Sequence, residues 1–205
     1  MIRRPPRSTR FPYATLFRSP YSHRVLPYCP RCGTTLSSHE LALGYEEIKD
    51  KSVYVRFPLD EGGMAGRREG GRELVVWTTT PWTLPSNVAV AVNPELEYGE
   101  YEKDGRVFIM ATARASHLFG DATPRRTFPG RELVGLRYRR PLDVVPVPAE
   151  RVSEVVVGGD FVTAEDGSGM VHLAPAFGAD DYAAGQQHGL AIYMEIGRAS
   201  CRERV

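Results

Sequence analysis

No apolar run in the 205 residues approaches the ~18 that a membrane-crossing helix needs, so no segment reads as a membrane span. Lysine is nearly missing: Lys49, Lys51 and Lys103 are the only three. Residues 1–39 hold seven arginines, no lysine and no acid, and the first carboxylate is Glu40. Cys29 and Cys32 form a C-x-x-C with no second such pair, and Cys201 stands alone. No internal repeat or low-complexity tract is present. The regular strand–helix alternation of a doubly wound nucleotide-binding sheet is missing too.

What remains has the composition of a soluble globular protein, with 42 % hydrophobic and 25 % charged residues. The length suits one domain, or a domain with a small appendage. The two ends stand apart. Ile2–Ser19 is rich in Arg and Ser but lacks the apolar spacing of an amphipathic transit helix and carries adjacent prolines. Glu195–Val205 is a basic end around Cys201. Both ends resemble translated sequencing-adapter read-through, so residues 1–19 and 195–205 are expected to be artefactual extensions. They hold eight of the 26 basic residues and two of the 25 acids. Pro20–Met194 therefore carries 18 basic against 23 acidic groups, a net of −5. A net-acidic body cannot grip a nucleic acid mainly through phosphates.

Within that body, short β-type runs dominate. Ser52–Leu59 alternates and is rich in β-branched and aromatic residues. Residues 61–72 read as a Gly-rich charged loop. Glu73–Thr79 reads as a strand ending in threonines, and Asn87–Val92 as another. Leu96–Ala111 predicts a hairpin turning at Asp104-Gly105. Thr112–Gly120 predicts a short helix stopped by glycine, and Ala179–Gly189 a longer one with acids in its first turn. Gly130–Tyr138, Pro141–Pro148 and Val152–Ala176 read as further short strands. The expected fold is mainly β with peripheral helices (α+β), barrel-like.

Three segments carry the chemistry. The Cys29-Pro-Arg-Cys32-Gly turn sets two thiols on one side of the chain, as half of a tetrahedral zinc site requires. His39 is the nearest further candidate ligand. Trp77–Asn87, WTTTPWTLPSN, crowds Thr78, Thr79 and Thr80 against an indole at a strand end. Hydroxyls and exposed backbone N–H groups there can hold a water or a developing oxyanion. Gly167–Tyr182, GSGMVHLAPAFGADDY, places His172 on a short strand and Asp180 and Asp181 at the start of a helix. Taken alone, a lone strand histidine is an ordinary structural residue and two acids opening a helix are dipole-favourable caps. Together with the threonines they could hold a small amino acid ester, the carboxylate taking an ammonium and the imidazole setting pocket depth. There is no nucleophile elbow and no Ser-His-Asp order.

Trp77–Pro94 and Gly167–Tyr182, in this order and at this separation, resemble the editing domain of the isoleucyl-tRNA synthetases. Pro27–Tyr45 and Ser52–Leu59 resemble the segments leading into it. The valyl and leucyl relatives have Arg-Pro after the paired threonines and fit less well. One departure is Ser168, where the family usually has Thr. The resemblance implies a zinc-knuckle lead-in over 20–45 and an editing domain over 46–194, incomplete at its C-terminal end. It implies a β-barrel inserted in a larger synthetase that hydrolyses valine misattached to the tRNA for isoleucine. One methylene separates these amino acids by only about 1–3 kcal/mol in an apolar pocket, a limit whose standing example is this same synthetase. The resemblance further implies that Thr78, Thr79 and Thr80 line the site, with Thr80 near the water or terminal adenosine. Trp82 and Asn87 lie at its rim, and Ala174 contacts substrate. His172 limits side-chain size, and Asp181, rather than Asp180, holds the α-ammonium. Water attacks the ester, helped by a ribose hydroxyl of the tRNA and without a metal. The HIGH and KMSKS signatures are absent, so ATP belongs only to the parent enzyme. So is the second cysteine pair, which leaves Cys29 and Cys32 as half of a structural zinc site. The implied partners are tRNA and the remainder of the synthetase in cis, in the cytoplasm, with no membrane. The alternatives are a non-catalytic zinc-knuckle or tRNA-binding module resting on the cysteines, and a free-standing trans-editing hydrolase.

Overall fold

A computed structural model describes residues 26–29, 31–44, 51–60, 71–144, 146 and 153–192. The expected extensions at 1–19 and 195–205 and most of the 61–72 loop lie outside the described residues. Two small strands, β1 (Tyr28–Cys29) and β2 (Thr34–Thr35), form a hairpin followed by α1 (Ser38–Ala42). Ser37 caps α1 in a reciprocal capping box with Glu40.

Eight strands make one curled mixed sheet: β3 (Val53–Pro58), β4 (Arg72–Thr78), β5 (Ala89–Val92), β6 (Glu97–Lys103), β7 (Arg106–Ala111), β8 (Arg126–Pro129), β9 (Val155–Gly158) and β10 (Met170–Leu173). The path runs β8-β6-β7-β4-β10-β5-β9, with β3 paired to β4. The expected mainly β, barrel-like α+β fold is what forms. Strand β4 is its pivot. Its first three residues pair in parallel with Val107–Ile109 of β7, and Trp77 near its end pairs in parallel with Val171 of β10. Antiparallel β3 runs along β4 from Val53↔Thr78 to Pro58↔Glu73. Alternation then sorts the side chains. Leu74 and Val76 face the main core, and Val75 the opposite cluster. Met170 of β10 and Val90 of β5 face the same main core. Each fully buried Leu or Val contributes roughly 1.5–3 kcal/mol of transfer free energy.

The predicted hairpin is β6–β7, and both residues of its turn take the left-handed conformation, Asp104 at φ 53° and Gly105 at φ 72°. The predicted short helix is a 3₁₀ turn (Thr112–Arg114) running into α2 (Ser116–Phe119), and Gly120 stops it at φ 58°. The C-terminal helix α3 spans Ala179–Gln187, with Gly189 beyond it at φ 64°.

Two strand expectations do not hold. Gly130–Tyr138 is not a strand: Gly130–Glu132 is a 3₁₀ turn, Gly135 sits at φ 88°, and the segment meets the sheet through isolated bridges at Arg137 and Tyr138 and through backbone hydrogen bonds of Gly135 and Leu136 with Val156. The turn presses Gly130 against Asn93 so closely that only glycine fits, a Cβ there lying 2.1 Å from the Asn93 carbonyl oxygen. The segment instead drops Leu133 and Tyr138 into the core. The strand sits just before it, in β8, with Phe128 buried and Pro129 ending an edge. No strand forms at Pro141–Val144, and most of 145–150 lies outside the described residues. Among the described residues, no helix is long and apolar enough to cross a membrane.

Candidate functional site

Thr78 is the last residue of β4. Continuing the alternation of Leu74 and Val76, it faces inward and is buried. In β10, His172 continues from Met170 onto the same face and is also buried. Because Trp77 and Val171 are register partners in a parallel pair, the next residues along, Thr78 and His172, come to adjacent positions. The sheet therefore unites two sequence motifs 94 residues apart.

After Thr78 the chain cannot continue as a strand. Pro81 and Pro85 hold Pro81–Ser86 as a 3₁₀ turn. Three residues per turn bring Thr80 and Thr83 to one side. A hydroxyl chain results. The Thr80 N–H donates to Thr78 Oγ1 at 3.1 Å, and the two Oγ1 atoms are 3.3 Å apart. Thr83 Oγ1 donates to the Thr80 carbonyl at 2.8 Å and lies 3.1 Å from His172 Nε2. Thr79 and Thr80 are exposed at the open end of this chain. Burial pushes the His172 pKa down to about 4, so the ring is neutral at pH 7.

The loop before β10 is shaped by two left-handed glycines, Gly167 at φ 70° and Gly169 at φ 71°. It fills the fork where β7 ends and β10 begins. Ser168, fully enclosed, accepts the Trp77 N–H at 3.2 Å, and its carbonyl accepts the Ala111 N–H at 3.0 Å. The Tyr98 hydroxyl donates to the Gly169 carbonyl at 2.6 Å. The serine hydroxyl at this position thus ties β4 to the turn, which is why a Ser for Thr exchange preserves the joint.

After Leu173 the chain turns into α3. Asp181 sits in its first turn, half-buried, and accepts the Ala174 backbone N–H at 2.9 Å. Burial raises the Asp181 pKa. The Ala174 N–H opposes this, and the neighbouring Asp180 charge adds to it. Gly178 leaves room for the carboxylate: a Cβ there would lie 3.1 Å from Asp181 Cγ. Asp180 is exposed.

Two expected rim residues separate. The Trp82 indole is 57 % exposed, standing in solvent beside the hydroxyl chain. Asn87 is not at a rim: it is fully enclosed, donating to the Ala89 carbonyl at 2.9 Å and accepting the Tyr138 hydroxyl at 2.6 Å. A buried amide must be satisfied, and here the chain itself does so. Ala174 is buried, with its N–H taken by Asp181. Thr83 and Ser168 are the residues that sequence reasoning left without a role. The i+3 spacing of Thr83 from Thr80 across Pro81 was the available signal. Two hollows of about 320 and 400 Å³ lie elsewhere and contain none of these groups.

In the β1–β2 hairpin, the Cys32 N–H points to Cys29 Sγ at 3.4 Å, and the Gly33 N–H donates to the Cys29 carbonyl at 2.9 Å. The Cys32 N–H and thiol and the Arg31 N–H lower the Cys29 pKa, while the hydrogen bond to Cys29 raises that of Cys32. A backbone that donates to sulfur suits a thiolate ligand, so the pair fits half of a zinc site. Among the described residues no group of three or more His, Cys, Asp or Glu assembles, and His39 does not complete it.

Sequence comparison decides the family. The chain is 50 % identical over 175 residues to the isoleucine–tRNA ligase of Thermus thermophilus, covering 85 % of this chain. It is 47 % identical over 176 residues to that of Thermoplasma acidophilum, covering 86 %. The chain belongs to the isoleucine–tRNA ligases. It spans 16 % of the length of these curated relatives. No protein-family model matches it. The fold of this ligase segment is that of solved leucyl-synthetase domains. GlLeuRS-CP1 superposes with a TM-score of 0.55 at 18 % identity, over 67 % of this chain and 60 % of its own. The Plasmodium knowlesi cytosolic leucyl-tRNA synthetase editing domain does so with 0.53 at 15 %, over 66 % and 60 %.

Proposed function

We propose that this segment carries the editing site of an isoleucine–tRNA ligase and hydrolyses valine misattached to the tRNA for isoleucine. The observation that carries the reading is the Thr78–Thr80–Thr83–His172 hydroxyl–imidazole chain, with Asp181 fastened two residues beyond His172. The exposed Thr79 and Thr80 meet the water and the terminal adenosine, with the Trp82 indole as a wall beside them. The Asp181 carboxylate holds the α-ammonium of the aminoacyl group through a charge-assisted hydrogen bond. The neutral His172 limits the depth available to the side chain, admitting valine and turning isoleucine away. Ala174 supports this end of the pocket by orienting Asp181, and Asn87 braces the strand behind it. Water adds to the ester carbonyl, the acyl C–O bond breaks, and the proton ends on the released tRNA hydroxyl. A ribose hydroxyl of the tRNA assists the attack.

The domain covers 46–194 behind the knuckle at 20–45. Tightly held tRNA requires the rest of the ligase in cis, because the body of this chain is net acidic. Activation of isoleucine with ATP belongs to that remainder, and the whole works in the cytoplasm. Cys29 and Cys32 would hold a structural zinc together with a second thiol pair from the parent chain. The test is deacylation of valyl-tRNA by the ligase that contains this segment. Asp181→Ala should abolish it, and wild-type rates in that variant would remove the assigned role.

A further inference from the structure

Thr83 lies where the 3₁₀ turn passes over β10, and its hydroxyl has two partners within hydrogen-bond range. One is the Thr80 carbonyl at 2.8 Å and the other is His172 Nε2 at 3.1 Å. A hydroxyl has one proton to give. A carbonyl oxygen has none, so the short contact to Thr80 is made by the Thr83 proton. The third neighbour, Thr80 Oγ1 at 3.5 Å, is too distant to compete for it. Thr83 can therefore meet the imidazole only as an acceptor, and Nε2 has to be the nitrogen that carries hydrogen.

The other ring nitrogen agrees. His172 is only 6 % exposed, and among the described residues Nδ1 is buried without a hydrogen-bond partner. A proton on Nδ1 would create an orphaned buried donor and would also leave Nε2 facing a hydroxyl whose proton is committed elsewhere. Each unmet group costs about 1–3 kcal/mol. Moving the proton to Nε2 makes a hydrogen bond there and leaves one unmet group, the Nδ1 lone pair, in place of two.

We infer that Thr83 is a positioning residue for His172: it fixes the imidazole as the Nε2–H tautomer and keeps the Nδ1 lone pair as a buried acceptor. Thr83 thereby holds the ring in one orientation and one protonation pattern at the residue to which the proposed size limit belongs. The inference takes its meaning from the proposed editing role, but its test reads the imidazole directly.

The experiment is nitrogen NMR of the full 205-residue chain labelled with ¹⁵N at its five histidines, with His172 assigned through His172→Gln. At pH 7 the wild-type His172 should show a protonated Nε2 and an unprotonated Nδ1. Thr83→Val removes the acceptor, and the two resonances should move toward the average of mixed tautomers. Thr83→Ser keeps the hydroxyl and should restore the wild-type pattern. A wild-type Nδ1–H tautomer overturns the inference, as do unmoved resonances in a folded Thr83→Val chain. Should valine prevent folding, the wild-type tautomer and the serine variant still decide. A fixed Nε2–H tautomer in a ligase that does not deacylate valyl-tRNA would remove the functional reading and leave this one standing.

Discussion

The Asp181 carboxylate accepts the backbone N–H of Ala174 at 2.9 Å, fastening the first turn of α3 to the end of β10. This bond is the acid's duty in the fold, separable from the proposed duty of its charge. Asp181→Asn keeps an oxygen that can accept the Ala174 N–H but loses the negative charge. The folded chain should therefore keep its stability. Valyl-tRNA deacylation by the parent ligase should fall about 10–100-fold, the 1.5–3 kcal/mol of a hydrogen bond to a charged group. Steady-state deacylation and a denaturant titration, run on the same variant, separate the two. Equal rates for Asn and Asp would show that the charge is not used.

His172 fills the inner face between β10 and the 3₁₀ turn. Shortening it to alanine opens room for one more methylene. In His172→Ala the parent ligase should hydrolyse correct isoleucyl-tRNA, and its preference for the valyl product should drop about fourfold or more, the worth of one ~0.8 kcal/mol methylene. Deacylation of both aminoacyl-tRNAs measures this. Unchanged discrimination would end the size-gate role.

The same histidine makes stability depend on pH. Its folded pKa, about 4, lies below the ordinary 6.5, so between these values the unfolded chain binds more protons than the folded one. Stability therefore rises with pH across this window and is lost as pH falls from 6.5 toward 4. The shift corresponds to roughly 3 kcal/mol at one pKa unit per 1.36 kcal/mol. Urea midpoints measured from pH 7 to 4 should fall in wild type and fall less in His172→Gln. Parallel profiles for the two would show that the imidazole is not the group responsible. Asp181 acts oppositely: its raised pKa favours the folded state at low pH, so it partly offsets the loss.

Two glycines with nearly the same left-handed φ should respond differently to alanine. At Gly105, φ 72°, a Cβ meets open space. The cost there is the conformation alone, about 1–2 kcal/mol. At Gly169, φ 71°, a Cβ would lie 2.5 Å from the Ala111 Cβ. Overpacking adds about 1–3 kcal/mol to the conformational cost. Thermal unfolding of Gly105→Ala and Gly169→Ala compares them, and equal losses would mean that the fork at Ala111 has slack.

The cysteine knuckle predicts a metal content. The parent ligase should carry zinc at this site, and Cys29→Ser should release one ion per chain by elemental analysis. Full zinc retention in that variant would show that the knuckle holds no metal.

The sequence by itself determined the elements whose signals are local. Period-two alternation marked β3, short β-type runs marked β4 and β5, Asp104-Gly105 marked the tight hairpin, and glycines at 120 and 189 marked helix ends. These depend on backbone preferences of a few neighbouring residues, which any chain context leaves in place. Thr78, His172 and Asp181 also stand within motifs visible in the sequence alone. Long-range contacts decided the rest. Gly130–Tyr138 has β-type composition, but it opens on a 3₁₀ turn packed against Asn93 and places Leu133 and Tyr138 in the core. Edge strand β8 has one buried side chain, too few to make a periodic signal. Asn87 looked like a rim residue until Tyr138, 51 positions away, closed over its amide. Above all, the parallel register of Trp77 against Val171 is what sets Thr78 beside His172, and the 3₁₀ turn is what swings Thr83 onto the imidazole. Residue types fix which hydrogen bonds a site can make; which donor reaches which acceptor is settled by the packing of strands far apart in the chain.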